Sequence, residues 1–177
     1  MLPLGTIAPS FTLNDSVTDT AQSLLTLQSK VATVIMFICN HCPYVQLILP
    51  KLLTVARHYQ TQGIAFVAIS SNDSSKFPED GPDKMRELAT LHSFSFPYLY
   101  DATQEVAKAY HAACTPDFYI FDQALKCVYR GRFDDATPGN GKPVTGYDLC
   151  QALDSILKNT AVSTEQHPSV GCNIKWR

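Results

Sequence analysis

The chain has no apolar stretch approaching the roughly 20 residues that a membrane span needs. Charge is scarce as well. Only 17% of residues are charged and the formal balance is −2, which excludes an extended basic surface for nucleic acid. Internal repeats and low-complexity blocks are missing, so repeat arrays and biased disordered segments are excluded. The opening Met1-Leu2-Pro3-Leu4-Gly5 lacks the charged and apolar regions of a secretory signal, and the cytosol is the expected compartment. There is also no regular cysteine framework. The six cysteines (Cys39, Cys42, Cys114, Cys127, Cys150 and Cys172) are irregularly spaced, and only one pair is close in sequence. In a reducing cytosol such a pair is more often catalytic or metal-binding than structural. What is present is 177 residues with 45% hydrophobic content, enough for one domain to bury a core without disulfide staples.

Val31 to Ile38 is a continuous, β-branched apolar run without alternation, which predicts a central strand buried on both faces. It leads directly into Cys39-Asn40-His41-Cys42. From Cys42 to Tyr59 the apolar residues Val45, Leu49, Leu52, Leu53 and Ala56 recur at helical spacing. Pro43 suits a first helical turn, and Pro50 should kink the helix. Residues 63–70 read as a second buried strand. The loop Ser71–Asp83 follows, and its acids Asp73, Glu79, Asp80 and Asp83 read as solvated. Helices are expected at 83–92 and 103–111, the second capped by Thr103 with Val106, Ala107 and Tyr110 inward. Residues 117–121 and 126–130 should form a hairpin, and 145–158 a last helix on Leu149, Leu153, Ile156 and Leu157. The order predicts an α/β sandwich with parallel central strands and antiparallel pairing at one edge. Residues 1–158 form the expected domain, with an N-terminal extension over 1–30 that adds a strand or hairpin near Pro9–Leu13. A tail over 159–177 is expected to dock on it through Ile174 and Trp176.

The two-residue spacing between Cys39 and Cys42 carries the chemistry. At a helix start, positions i and i+3 lie about 5–6 Å apart, within reach of an unstrained disulfide. With Cys39 at the N-cap, helix-end amides and the dipole would stabilise its thiolate. Cys42, one turn inside, would resolve a mixed disulfide. An imidazolium at His41 would favour the thiolate further and make the couple more oxidising than a thioredoxin's, about −270 mV. A zinc site would need more ligands than this motif supplies, and no second CxxC or HxxxH completes it. Neither a metal nor an organic cofactor is expected.

Taken with other segments, the motif resembles the thioredoxin superfamily, and within it the peroxiredoxin-like redoxins related to alkyl hydroperoxide reductase and thiol-specific antioxidant proteins. The segments are Gly5-Thr6-Ile7-Ala8-Pro9-Ser10-Phe11-Thr12-Leu13, Cys39-Asn40-His41-Cys42-Pro43-Tyr44-Val45, Ser71-Asn72-Asp73 with Pro78-Glu79-Asp80, Cys114-Thr115-Pro116, and Gly171-Cys172-Asn173-Ile174-Lys175-Trp176. The resemblance implies a thioredoxin-like three-layer fold, a mixed central sheet with helices on both faces. It also implies that Thr115-Pro116 is the cis-proline pair facing the dithiol, with Thr115 offering backbone groups to a substrate peptide. X-Pro is the one bond where cis is cheap. Asn40 and His41 are the expected tuning residues, and Cys114 and Cys172 are candidates for further redox thiols. Cys127 and Cys150 read as packing residues.

Two departures from the family pattern bear on activity. Thioredoxins often bury an acid in the strand before the motif, where this chain has Thr33 and no carboxylate; water or His41 is left as a base for Cys42. The peroxidatic Pro-x-x-x-Thr-x-x-Cys pattern fits neither cysteine: counting back gives Met36 and Ala32 from Cys39, and Cys39 and Ile35 from Cys42. The expected function is thiol–disulfide exchange with protein or small-molecule disulfides and a thiol reductant system. A thiol peroxidase acting on peroxides is the alternative, and a non-enzymatic redox sensor the third. Neither nucleic acid nor a membrane is an expected partner.

Overall fold

Strand β3 (Ala32–Phe37) sets the architecture, because every one of its residues is buried. Its side chains alternate between two cores. Val34 and Met36 point to one, and Ile35 and Phe37 to the other. The computed structural model describes residues 1–177. It builds a seven-stranded mixed sheet in the order β2-β1-β5-β4-β3-β7-β8. The strands are β1 (Thr12–Asp15), β2 (Thr20–Ser23), β4 (Ile64–Ser70), β5 (Tyr98–Tyr100), β7 (Asp117–Asp122) and β8 (Cys127–Gly131) around β3. Strands β3, β4 and β5 run parallel, whereas β7 and β8 complete one side antiparallel. The N-terminal extension supplies the β1–β2 hairpin and joins the far side through β5.

One core packs under α2 (Pro43–Gln60), α3 (Pro82–Leu91) and α5 (Tyr147–Leu157). The Tyr59 hydroxyl ties α2 to α5 by donating to Asp154 Oδ1 at 2.6 Å. The second core lies under the short helices α1 (Leu24–Leu27) and α4 (Glu105–Ala109) and takes in Phe11, Tyr110 and Ile174. Helix α2 continues through Pro50, which is exposed; the Gln46 carbonyl it leaves unpaired lies on the solvent side. The cap expected at Thr103 falls instead on Gln104. Asp101 accepts from the Ala107 amide at 2.9 Å, while Gln104 turns its side chain to the Ser71 and Lys175 carbonyls.

Strand β5 escaped the sequence reading. It is three residues long and follows a proline, too short for any periodicity to show. Two others escaped for the same reason: β6 (Cys114–Thr115) and β9 (Cys172–Asn173), which pair antiparallel in a separate small sheet. The tail reaches β9 along the outer side of β8. Gln166 donates to the Val128 carbonyl and accepts from the Arg130 amide, and the His167 carbonyl accepts from the Arg132 amide. Gly171 then lies against the chain at Thr115, where an added Cβ would stand 2.0 Å from the Thr115 carbonyl oxygen. Gly171→Ala should therefore push β9 off β6. Denaturant unfolding should show a loss of about 1–3 kcal/mol, and hydrogen exchange should quicken at the Ile174 and Lys175 amides.

Candidate active site

The chain leaves β3 at Phe37 and enters α2 only at Pro43. Proline at the first helical position loses no hydrogen bond, and that fixes the N-cap at Cys42. The sequence reading put Cys39 there. It lies instead on the turn before the helix, and Cys42 takes the helix end. Both are buried, Cys39 at 1% and Cys42 at 0% exposure.

The bond between Thr115 and Pro116 is cis, and it carries Thr115 against both sulfurs. Thr115 Oγ1 is 3.3 Å from Cys39 Sγ. As a thiol, Cys42 donates to the Thr115 carbonyl oxygen at 3.2 Å. Across the β6–β9 ladder, Thr115 faces Cys172. Three thiols thus meet around one threonine, one each from the β3–α2 turn, the helix cap and the tail.

Their protonation follows from who donates to whom. Hydrogen bonding from the Cys39 thiol, and then from Cys172, holds the Cys42 thiol far below the usual range, at about 4, against the opposing effect of burial. The Val45 amide adds to this from the helix end, although it makes no full capping bond. Cys39 is driven the other way. It donates to Cys42, it is buried, and it faces the Asp80 carboxylate, so its thiol lies well above the usual range. Cys172 is raised to about 11, first by burial and then by its hydrogen bond to Cys42. Cys114 is raised to about 12 by burial and by Asp117, and its sulfur reaches only toward the Pro116 carbonyl at 3.8 Å. It makes no hydrogen bond to the other thiols, although Cys42 and Cys172 also raise it. Cys127 is buried in β8 and Cys150 is partly buried in α5.

Asp80 is the residue that the sequence reading missed. In sequence it reads as a solvated loop acid, yet it is fully buried beneath the Cys39–Cys42 turn. Its Oδ1 accepts from the Asn40 and His41 amides at 2.8 and 3.2 Å. Its Oδ2 accepts from Asn72 Nδ2 at 2.8 Å and meets His41 Nδ1 at 2.5 Å. His41 also stacks on Phe77, with ring centroids 5.3 Å apart. The imidazole expected to favour a Cys39 thiolate is thus turned to Asp80, and it is the acid's charge that Cys39 feels. Asn40 is held at four points: by its amide on Asp80, its Nδ2 on the Glu79 carbonyl, its Oδ1 under the Tyr98 hydroxyl, and its carbonyl under Gln46 Nε2. It positions the turn. Thr33, standing where a buried acid was sought, accepts from the Ser29 amide at 2.9 Å. Asp73 is buried as well, where it accepts from Ser75. The one sequence signal for Asp80 was its place in the Pro78-Glu79-Asp80 segment.

Cys39, His41 and Asp80 bring potential metal-ligand atoms within 4.8 Å of one another. The carboxylate's lone pairs already meet four donors, and His41 Nδ1 is one of them. The set is a closed hydrogen-bonded cluster with little left to offer an ion.

The AhpC/TSA family's sequence pattern matches residues 4–130. An uncharacterized conserved protein of Geobacillus kaustophilus is 53% identical, with a TM-score of 0.98, over 100% of this chain and 94% of its own. The thioredoxin domain of a thiol-disulfide oxidoreductase of Bacteroides vulgatus shares the fold at 17% identity and TM-score 0.60, over 73% and 89% of the two chains. The peroxidoxin BcpB of Mycobacterium tuberculosis does so at 18% identity and TM-score 0.66, over 90% and 98%. A search of curated proteins gives no match. No helix is long and apolar enough to cross a membrane.

Two measurements test this electrostatic picture. Ultraviolet thiolate absorbance of the reduced protein should show a transition near pH 4, thiol below and thiolate above, that vanishes in Cys42→Ser. Asp80→Ala strands four donors, the buried Asn72 amide among them, and should cost about 3–5 kcal/mol in denaturant unfolding. In the same variant Cys39 should ionise at lower pH, because a negative neighbour is gone.

Proposed function

The chain belongs to the AhpC/TSA family, and from the geometry of its site we propose that it is a thiol–disulfide oxidoreductase in which Cys42 is the attacking sulfur. The observation that carries this reading is the place of Cys42 at the N-cap of an 18-residue helix, with Thr115 joining it to two further thiols. The thiolate is the species that attacks, and a helix end with thiol donors favours it at neutral pH. The Cys42 thiolate attacks one sulfur of a substrate disulfide. The substrate S–S bond breaks, its second sulfur leaves as a thiolate and takes a proton from solvent, and a mixed disulfide forms. A second protein thiol then loses its proton and attacks Cys42 Sγ, expelling the remaining substrate thiol. Two electrons pass from the protein dithiol to the substrate, and a thiol reductant system returns them. A stable Cys42 thiolate favours the reduced protein, which makes the couple more oxidising than about −270 mV.

The cis-proline borders a small cleft lined by Tyr44, Ile48, Pro116, Phe133 and Val170 together with Arg132, Asp134 and Asp135. Family membership supports a second reading, a thiol peroxidase. There Cys42 would take one oxygen from a peroxide to become a sulfenic acid, releasing alcohol or water, and a second thiol would condense with it. The absent Pro-x-x-x-Thr-x-x-Cys pattern weighs against that reading.

Insulin reduction driven by dithiothreitol separates the two. Cys42→Ser should lose about a hundredfold in rate, and unchanged activity in that variant would refute the assignment. Peroxide consumption by the reduced protein should be no faster than that of an ordinary thiol, and rapid consumption would establish the peroxidase instead.

A further inference from the structure

The thiol nearest Cys42 from outside its own turn is on the tail. β9 lies antiparallel on β6 with Cys172 opposite Thr115, the residue whose carbonyl oxygen touches Cys42 Sγ. The resemblance gives that edge of Thr115 to a substrate peptide; here the protein's own chain fills it. The fit is close. Gly171 leaves no room for a Cβ against Thr115, Ile174 is buried at 3% exposure, and the Ile174 amide donates to the Ala113 carbonyl at 3.1 Å. Further on, the Asp73 amide and Gln104 Nε2 both donate to the Lys175 carbonyl, each at 2.9 Å. With β9 in place Cys42 has no exposed surface.

We infer that Cys172 is the resolving thiol of this site, and that β9 holds the place of the substrate strand between turnovers. The inference rests on the reading of Cys42 as the attacking sulfur. A substrate segment displaces β9, and Cys42 attacks its disulfide as above. When β9 returns, the Cys172 thiol gives its proton to solvent and its sulfur attacks Cys42 Sγ. The Cys42–Cys172 bond forms, the mixed disulfide breaks, and the substrate thiol leaves carrying the electron pair of the broken bond. A small dithiol reduces the new bond and restores the starting state.

Electrostatics favour Cys172 over Cys39 for this step. Both thiols lose their hydrogen bond to Cys42 once Cys42 is in a mixed disulfide. Cys39 then keeps the burial and the Asp80 carboxylate that raise it, whereas Cys172, also raised by burial and Asp80, has Lys175 to lower it.

The test is reaction of the reduced full chain with dithiobis(nitrobenzoate), followed by peptide mapping and by the decay of the mixed disulfide on Cys42. The wild type should yield a Cys42–Cys172 linkage. Cys172→Ser should prolong the mixed disulfide about tenfold or more, and Cys39→Ser should not. Gly171→Ala, which keeps the thiol but lifts the strand, should speed the first attack and slow resolution. A Cys39–Cys42 linkage alone, with decay unchanged in Cys172→Ser, would overturn the inference. So would a Cys172→Ser variant that quickens the first attack yet resolves at the wild-type rate, since the tail would then be a cover only. First attack persisting in Cys42→Ser would instead strike at the functional reading itself.

Discussion

The buried Asp80 carboxylate is the contact on which the site depends. A charge removed from water is tolerable only when it is fully hydrogen-bonded. Asp80 meets that condition by taking two backbone amides from the Asn40–His41 turn, the Asn72 side chain and the His41 ring. Since those donors come from two separate loops, satisfying the charge also fixes one loop against the other. The turn between β3 and α2 is thereby held open in a shape that the short segment would not keep unaided. Cys39 is placed beside a negative charge while Cys42, one helical step on, is placed at a positive helix end. The carboxylate thus adds to the difference that the hydrogen bond between the two cysteines and the burial of Cys39 already make.

Much of the fold was legible because β3 and β4 are unbroken apolar runs and α2 and α5 have strong helical spacing. Those patterns place the sheet centre and the two larger helices within a residue or two. The cis Thr115-Pro116 pair was legible from the resemblance. The role of Asp80 was not, because nothing in a polar loop's composition distinguishes a solvated acid from one folded back under a turn. The N-cap was misplaced by one helical turn for a related reason. CxxC spacing says that two sulfurs can meet, but only Pro43 says where the helix begins. His41 likewise reads as a cation beside a cysteine until its acidic partner is known.

The three thiols around Thr115 form a graded set. Cys42 is held as the acid of the group, and Cys39 and Cys172 act as its donors. Such an arrangement differs from a two-cysteine couple with one exposed nucleophile, since here the nucleophile is sheltered and its neighbours are already aligned as hydrogen-bond partners. Shelter slows chance oxidation; alignment shortens the path to a disulfide once the shelter is lifted.

The run of tail along β8 sets a limit on how that shelter can open. An outermost strand with bare amides and carbonyls is a template onto which another chain can add. Gln166 and His167 occupy this rim through Val128, Arg130 and Arg132, and Gly131 lets the His167 carbonyl approach too closely for any side chain there. Full detachment of the tail would bare the rim and invite chains to stack edge to edge. Residues 166 and 167 therefore act as a guard that stays in place, and only the chain beyond them is free to swing without a cost in solubility.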